Sequence, residues 1–241
     1  MPLKHVRRWI LGMDVPVLGL EETLAFLEAS GASLARWGDG ETAILRGRSI
    51  PFQDWSPSLS ERLGNLLNQR QPGILLAIPA GALKGPIWRH LKKPTWLATR
   101  VVLASALQPG RIYADAFMFR DEPVRALAAL KASIGRSGRV VVVSSNPRDR
   151  DYFSGMSCPV VHVLISERNA FAKFESICRR IRSSAAMKRD DDTSAPTVVL
   201  FSAGPAAKAL VAELAGEFRC YDVGHLFHFQ RNPAKKNVWA E

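Results

Sequence analysis

The sequence predicts an α/β protein, Rossmann-like, with a mostly parallel sheet and helices on both faces. Three observations carry this expectation. Amphipathic helical stretches alternate with short apolar runs along most of the chain, which is the pattern of βαβ units. The runs at 74–78 and 140–143 are apolar without a break, as strands buried on both faces must be. Small, polar and acidic residues follow these runs, at the sheet edge where such folds bind ligands.

The elements follow in order. Residues 20–30 have helical periodicity, and Gly31 supplies a stop. Residues 32–37 read as extended. Ser58 and Glu61 fit a capping box that opens a helix through about Gln69. A strand is expected at 74–78. A helix follows at 123–134, closed by Gly135, and the β-branched run at 140–143 reads as a central strand. Further strands are expected at 160–165, 197–201 and 220–223, with helices at 169–181 and 205–215. Residues 179–195 hold a basic cluster and then Asp190, Asp191 and Asp192, read as a solvated loop in its second half. The expected organisation is a basic arm and leading helix at 1–30, one α/β domain at 31–230, and a tail at 231–241.

Composition bounds the function. The 241 residues are 47% apolar and 23% charged, which excludes a disordered, collagen-like or disulfide-rich chain. With 33 Lys and Arg against 22 Asp and Glu, the net charge of +11 favours anionic partners. Cys158, Cys178 and Cys220 form no CxxC motif and read as reduced thiols of a cytoplasmic protein. No apolar stretch approaches the ~20 residues of a membrane span. Lys4, Arg7 and Arg8 precede a short apolar run, which reads as a frayed arm or as a weak peripheral contact with the inner membrane surface.

Chemistry concentrates at the strand ends. Asp39 and Glu41 stand two apart with Gly38 and Gly40 around Asp39. In an extended segment both carboxylates would face one hard cation, Mn²⁺ or Mg²⁺; the same spacing also suits a Gly-Asp-Gly turn with a surface Glu. Ser202 and Gly204 lead into a helix with Pro205 at its first position, where free N–H groups attract anions and Lys208 adds charge; a tight turn with a solvated lysine is the other reading. Asp222 and His225 end the last strand, as a base and a phosphate or proton contact, or as structural residues. Trp37 lies beside the acidic pair.

These motifs resemble a known family. Arg36-Trp37-Gly38-Asp39-Gly40-Glu41 is similar to the Arg-Phe-Gly-Asp-Gly-Glu signature of the GT-D-fold glycosyltransferases. Gly47 with Phe52-Gln53, the strand ending at Pro79, Asn169-Ala170-Phe171, Gly204-Pro205-Ala206-Ala207-Lys208 and Asp222-Val223-Gly224-His225 resemble further family segments, in the same order. The resemblance implies a GT-D-like domain binding a nucleotide-sugar, typically a UDP-hexose, with Mn²⁺ (or Mg²⁺) on Asp39 and Glu41. It implies donor contacts at Arg36, Gly38, Gly40, Ser202, Gly204 and Lys208, and catalytic roles for Asp222 and His225. The acceptor would be a glycan, glycolipid or glycoprotein. The segments at 144–153 and 226–228 depart from the family pattern.

Other classes fit less well. A nucleic-acid-binding protein would suit the charge, but no helix-turn-helix, zinc-ligand spacing or RRM-type aromatic motif is present. No GxGxxG follows an expected strand, against a nicotinamide-linked oxidoreductase. A noncatalytic nucleotide-sugar-binding domain remains the alternative that the altered 144–153 segment allows.

Overall fold

A computed structural model describes residues 3–68, 71–108, 110–186 and 195–232. Its strands are β1 (Val17–Leu18), β2 (Ser33–Arg36), β3 (Ile74–Ile78), β4 (Tyr113–Asp115), β5 (Arg139–Ser144), β6 (Val160–Leu164), β7 (Thr197–Ser202) and β8 (Arg219–Asp222). They form one sheet in the order β1-β4-β3-β2-β8-β7-β5-β6, and every pairing is parallel. The helices are α1 (Leu3–Leu11), α2 (Leu20–Ser30), α3 (Asp39–Leu45), α4 (Pro57–Asn68), α5 (Pro94–Ala106), α6 (Pro123–Ser133), α7 (Phe174–Ala186), α8 (Pro205–Leu214) and α9 (Leu226–Arg231).

The strands' period of two divides the core. Ile74, Leu76 and Ile78 of β3 and Val141 and Val143 of β5 face α4, α7 and α8. Leu75 and Ala77 of β3 and Val140 and Val142 of β5 face α2, α6 and α9. All of β5 is buried, as expected of its unbroken β-branched run.

The chain leaves β2 toward β3 and β4 on one side. It then crosses to β5 and β6 and returns through β7 to β8, directly beside β2. Strands β2 and β8 thus lie side by side although they are far apart in the sequence. The connection after β2 packs on one face of the sheet and α9, after β8, on the other, and such a divergence opens a crevice at the carboxyl ends of a parallel sheet.

Several local expectations are corrected. Ser56, not Ser58, caps α4, its Oγ accepting from the Leu59 N–H at 3.3 Å, because Pro57 takes the first helical position. Residues 39–45 form α3, where the sequence left an extended segment and a Gly-Asp-Gly turn open, since the Glu41 side chain reaches back to cap the Gly38 N–H at 2.7 Å. The helix expected from Asn169 opens instead with a 3₁₀ turn, Ala170–Lys173. The Asp190–Asp192 run and most of the expected tail lie outside the described residues.

Within the expected arm and leading helix, residues 3–30 are joined to the domain. Strand β1 belongs to the sheet, and α1 packs on α5 and on the 3₁₀ turn Ile87–His90. The anchor is Arg100 of α5, fully buried, which donates to the carbonyls of Trp9 and Gly85, each at 2.6 Å. Burial pulls the Arg100 pKa down, yet those carbonyls still meet a guanidinium. No helix among the described residues is long and apolar enough to cross a membrane.

Arg100→Leu should cost about 2–4 kcal/mol, because it strands buried carbonyls and removes the tie on α1. Urea denaturation and limited proteolysis near residues 9–13 check this; an unchanged midpoint with an intact N-terminal segment would refute it.

Candidate functional site

The crevice between β2 and β8 is built around one ammonium group. Lys208, in the first turns of α8, is 5% exposed, and its Nζ lies 2.7 Å from Glu41 Oε1 and 2.9 Å from Asp222 Oδ2. It also donates to the Gly204 carbonyl at 3.1 Å. Burial alone would lower the Lys208 pKa, but the Asp222 and Glu41 charges outweigh it and hold the pKa above the ordinary lysine value. The sign follows: this contribution to stability is fully present below about pH 10 and is lost only as pH rises through the raised folded value.

Both carboxylates are committed inward. Asp222 is fully buried; its Oδ2 also accepts from the Arg36 N–H at 3.2 Å and its Oδ1 from the Gly224 N–H at 3.0 Å. A base role for Asp222 does not fit this burial: it positions the β2 and β8 ends through Lys208 and two backbone N–H groups. Glu41, 4% exposed, is held by Lys208 and the Gly38 N–H.

Asp39 differs. It is exposed, and its Oδ1 accepts only a local bond from the Gly40 N–H at 2.9 Å among the contacts described. In α3 two residues are separated by about 200° around the axis, so Asp39 and Glu41 diverge. The expected two-carboxylate grip on a divalent ion therefore does not fit as a pair. No group of three or more His, Cys, Asp or Glu side chains among the described residues is placed to hold a metal.

The rim carries groups of another kind. The Arg36 guanidinium lies flat on Gly224, where an added Cβ would come within 2.5 Å of Nη2; Gly224 also has φ 54°, so glycine is required twice over. Arg36 Nη1 donates to the Val223 carbonyl at 3.3 Å, while its buried Nε has no partner. Ser202 Oγ donates to the Gly224 carbonyl at 2.6 Å, fixing the same turn. His225 is open to solvent yet crowded by Phe52, His228 and Phe229. That desolvation, with the nearby Arg36 and Lys208 charges, lowers its pKa to about 4, so the imidazole is neutral at physiological pH. Trp37 is buried in the core beneath, as its position suggested.

Sequence reasoning gave no role to the segment that roofs this crevice. The Phe52 ring lies against Gly204, where a Cβ would meet Phe52 Cε2 at 2.7 Å, so the space in front of the α8 turn is filled by an aromatic ring. Asn169 holds the segment in place. Its N–H donates to the Phe52 carbonyl at 2.9 Å, its Oδ1 accepts from the Asp54 N–H at 2.7 Å, and its Nδ2 donates to Asp54 Oδ2 at 2.6 Å. Gln53 Oε1 accepts from the Phe171 N–H at 3.3 Å. Asn169 is the non-glycine residue with positive φ (54°) among those described, a conformation that asparagine tolerates. Its local signal was its Asn-Ala-Phe context; nothing local named its partner.

Two outcomes follow. Lys208→Met should destabilise the fold by about 3–5 kcal/mol, since it leaves two buried carboxylates without their cation; a loss below about 1 kcal/mol in denaturant titrations at pH 7 would contradict the arrangement. Asn169→Gly keeps the backbone conformation and removes only the side-chain bonds, so residues 50–54 should exchange amide hydrogens faster with a global loss of about 1–2 kcal/mol. Unchanged exchange there would show that the clamp is not Asn169.

Comparison with known proteins bears on the fold. The family model described as glycosyltransferase GT-D fold matches residues 34–133, which include Arg36, Asp39 and Glu41. The chain is 29% identical to "Probable glycosyl transferase Gly" of Streptococcus gordonii over 88% of its length and 32% of that protein's. It is 23% identical to "Glycosyltransferase GlyD" of Streptococcus pneumoniae, over 93% of the chain and 29% of that protein. The chain thus spans about a third of the length of these curated relatives. Among solved structures, one described as a new glycosyltransferase (DUF1792) from Streptococcus sanguinis superposes with a TM-score of 0.71 at 25% identity, over 90% of this chain and 85% of that one. Another, described as domain of unknown function 1792 with a distinct glycosyltransferase fold, gives a TM-score of 0.72 at 22% identity, over 95% and 84% of the two chains. In fold, and over residues 34–133 in sequence, the chain is similar to the GT-D-fold glycosyltransferases.

Proposed function

We propose that this domain transfers a hexose from a nucleotide-diphosphate sugar, UDP-linked, to a glycan, glycolipid or glycoprotein acceptor. The observation that carries the reading is the rim of Arg36, Asp39 and His225 around the buried Lys208 cluster, at the carboxyl ends of the neighbouring strands β2 and β8. The relatives named as glycosyltransferases support it.

Each group has a task in this reading. The acceptor hydroxyl oxygen bonds to the anomeric carbon, the bond from that carbon to the diphosphate breaks, and the hydroxyl proton passes to the leaving diphosphate or to solvent. Negative charge grows on the leaving diphosphate. Arg36, half-buried at the rim, would meet that charge with a fixed cation. Asp39 would be the protein ligand of a Mn²⁺ or Mg²⁺ ion shared with the diphosphate, whose chemistry when bound is charge neutralisation. His225 stays neutral; with a pKa near 4 it is a weak base, suited to hold a hydroxyl or phosphate oxygen rather than to keep a proton. Lys208, Glu41 and Asp222 set the distance between the β2 and β8 ends and touch no ligand.

Calorimetric titration of UDP, with Mn²⁺ and with EDTA, tests the reading on wild type and Asp39→Ala. Binding should need the metal and weaken at least about tenfold in the variant. UDP binding that ignores both EDTA and the substitution would remove Asp39 from the metal. No binding of UDP under either condition would overturn the donor assignment.

A further inference from the structure

Two strands away from the rim, on the same edge of the sheet, lies a cavity of about 360 Å³. Its walls come from the turn after β3, the turn after β4 and the start of α5. Strands β2 and β4 flank β3, so the cavity lies roughly 10 Å across the sheet from the end of β2. That volume suits one or two sugar rings better than a whole nucleotide-sugar.

The lining is specific in kind. Trp96 stacks on His90 (ring centroids 5.6 Å, planes 28° apart) and on Phe117 (6.4 Å, 26°). The Trp96 ring rides directly on Gly81: a Cβ there would lie 2.9 Å from both Cη2 and Cζ3. Gly81 is therefore kept without a side chain so that the indole can form this wall. Lys93 Nζ lies 5.3 Å from the Trp96 centroid and the Arg120 guanidinium 3.9 Å from that of Phe117. Lys84 completes three cations around the space. Facing them from the end of β4 is Asp115, whose Oδ1 accepts from the Phe117 N–H at 2.9 Å; Arg120 also holds the exposed Asp121 at 3.2 Å. The N-terminal turn of α5 contains no acidic residue, so its dipole adds to the positive field.

The part-exposed rims of Trp96 and Phe117 give the C–H groups of a sugar an apolar contact, and clustered cations bind an anion. We propose that this cavity is the acceptor subsite, and that the acceptor is a sugar carrying a phosphate or carboxylate group. The assignment of "acceptor" rests on the glycosyltransferase reading above; the affinity for a charged sugar does not. Asp115 is left to take a hydroxyl of the same ring.

The test is calorimetric titration of glucose 6-phosphate, glucuronate and neutral glucose into wild type, Lys84→Ala/Lys93→Ala and Gly81→Ala, with UDP titrated into each as a control. At least one charged sugar should bind about tenfold or more tightly than glucose, and the phosphate and carboxylate arms tell the two groups apart. The double variant should lose about tenfold of that affinity, and Gly81→Ala should weaken it by displacing Trp96 without removing charge. UDP affinity should be unchanged in both. Equal binding of glucose, indifference to both variants, or displacement of the charged sugar by UDP would each overturn the proposal. Charged-sugar binding in a chain that binds no UDP would uphold the cavity and fail only the donor reading.

Discussion

Lys208 carries its charge out of water and into the centre of the sheet's carboxyl edge. Removing an ammonium from solvent costs several kcal/mol, and so does removing each carboxylate. The cost is met only because Nζ sits within 3 Å of both Glu41 and Asp222, because their other oxygens accept from the Gly38 and Gly224 N–H groups, and because Asp222 Oδ2 also accepts from the Arg36 N–H. Those contacts join the end of β2, the start of α3, the first turn of α8 and the end of β8. The spacing of the crevice is thus fixed by an electrostatic knot rather than by apolar packing, and the rim groups inherit its rigidity. Arg36 lies flat against Gly224 only because Asp222 and Ser202 hold the Gly224 turn from opposite ends of its peptide.

A second constraint works over longer chain separation. The 50–54 segment and Asn169 are 115 residues apart along the chain for their side-chain bonds, yet they meet above α8. Phe52 is placed by this clamp, and Phe52 in turn crowds His225 and covers Gly204. The low pKa of His225 comes from its desolvation, to which the Phe52 ring contributes, and from the Arg36 and Lys208 charges. Near the sheet's other side, Arg231 pairs with the buried Asp149, tying α9 to the 3₁₀ turn Pro147–Phe153 that follows β5.

Much of the fold was legible because its signals are local. The β-branched run of β5 and the apolar run of β3 left little choice but buried strands, and Gly31 marked the end of α2 by its left-handed conformation. Short elements were not legible: β1 and β4 have two and three residues, too few for a period to show. Helix α3 was hidden because glycines on both sides of Asp39 read as a turn, while the cap that starts it is a side chain three residues on. At the site, the residues were named from the sequence but their partition was not. Whether Asp39 or Asp222 faces solvent depends on which carboxylate Lys208 reaches, and that is a property of the assembled strands. The aromatic wall of Trp96 and Phe117 was invisible for the same reason.

The outermost strand on one side of the sheet is β1, with only Val17 and Leu18 paired to β4. A parallel sheet ending in a full-length strand would offer a row of unpaired backbone groups to any other chain. Here the row is two residues long, and the segment beyond it turns at once into α2. The same brevity that hid β1 from sequence reading limits edge-to-edge association, so a crowded solution of this basic domain has little template there for aggregation.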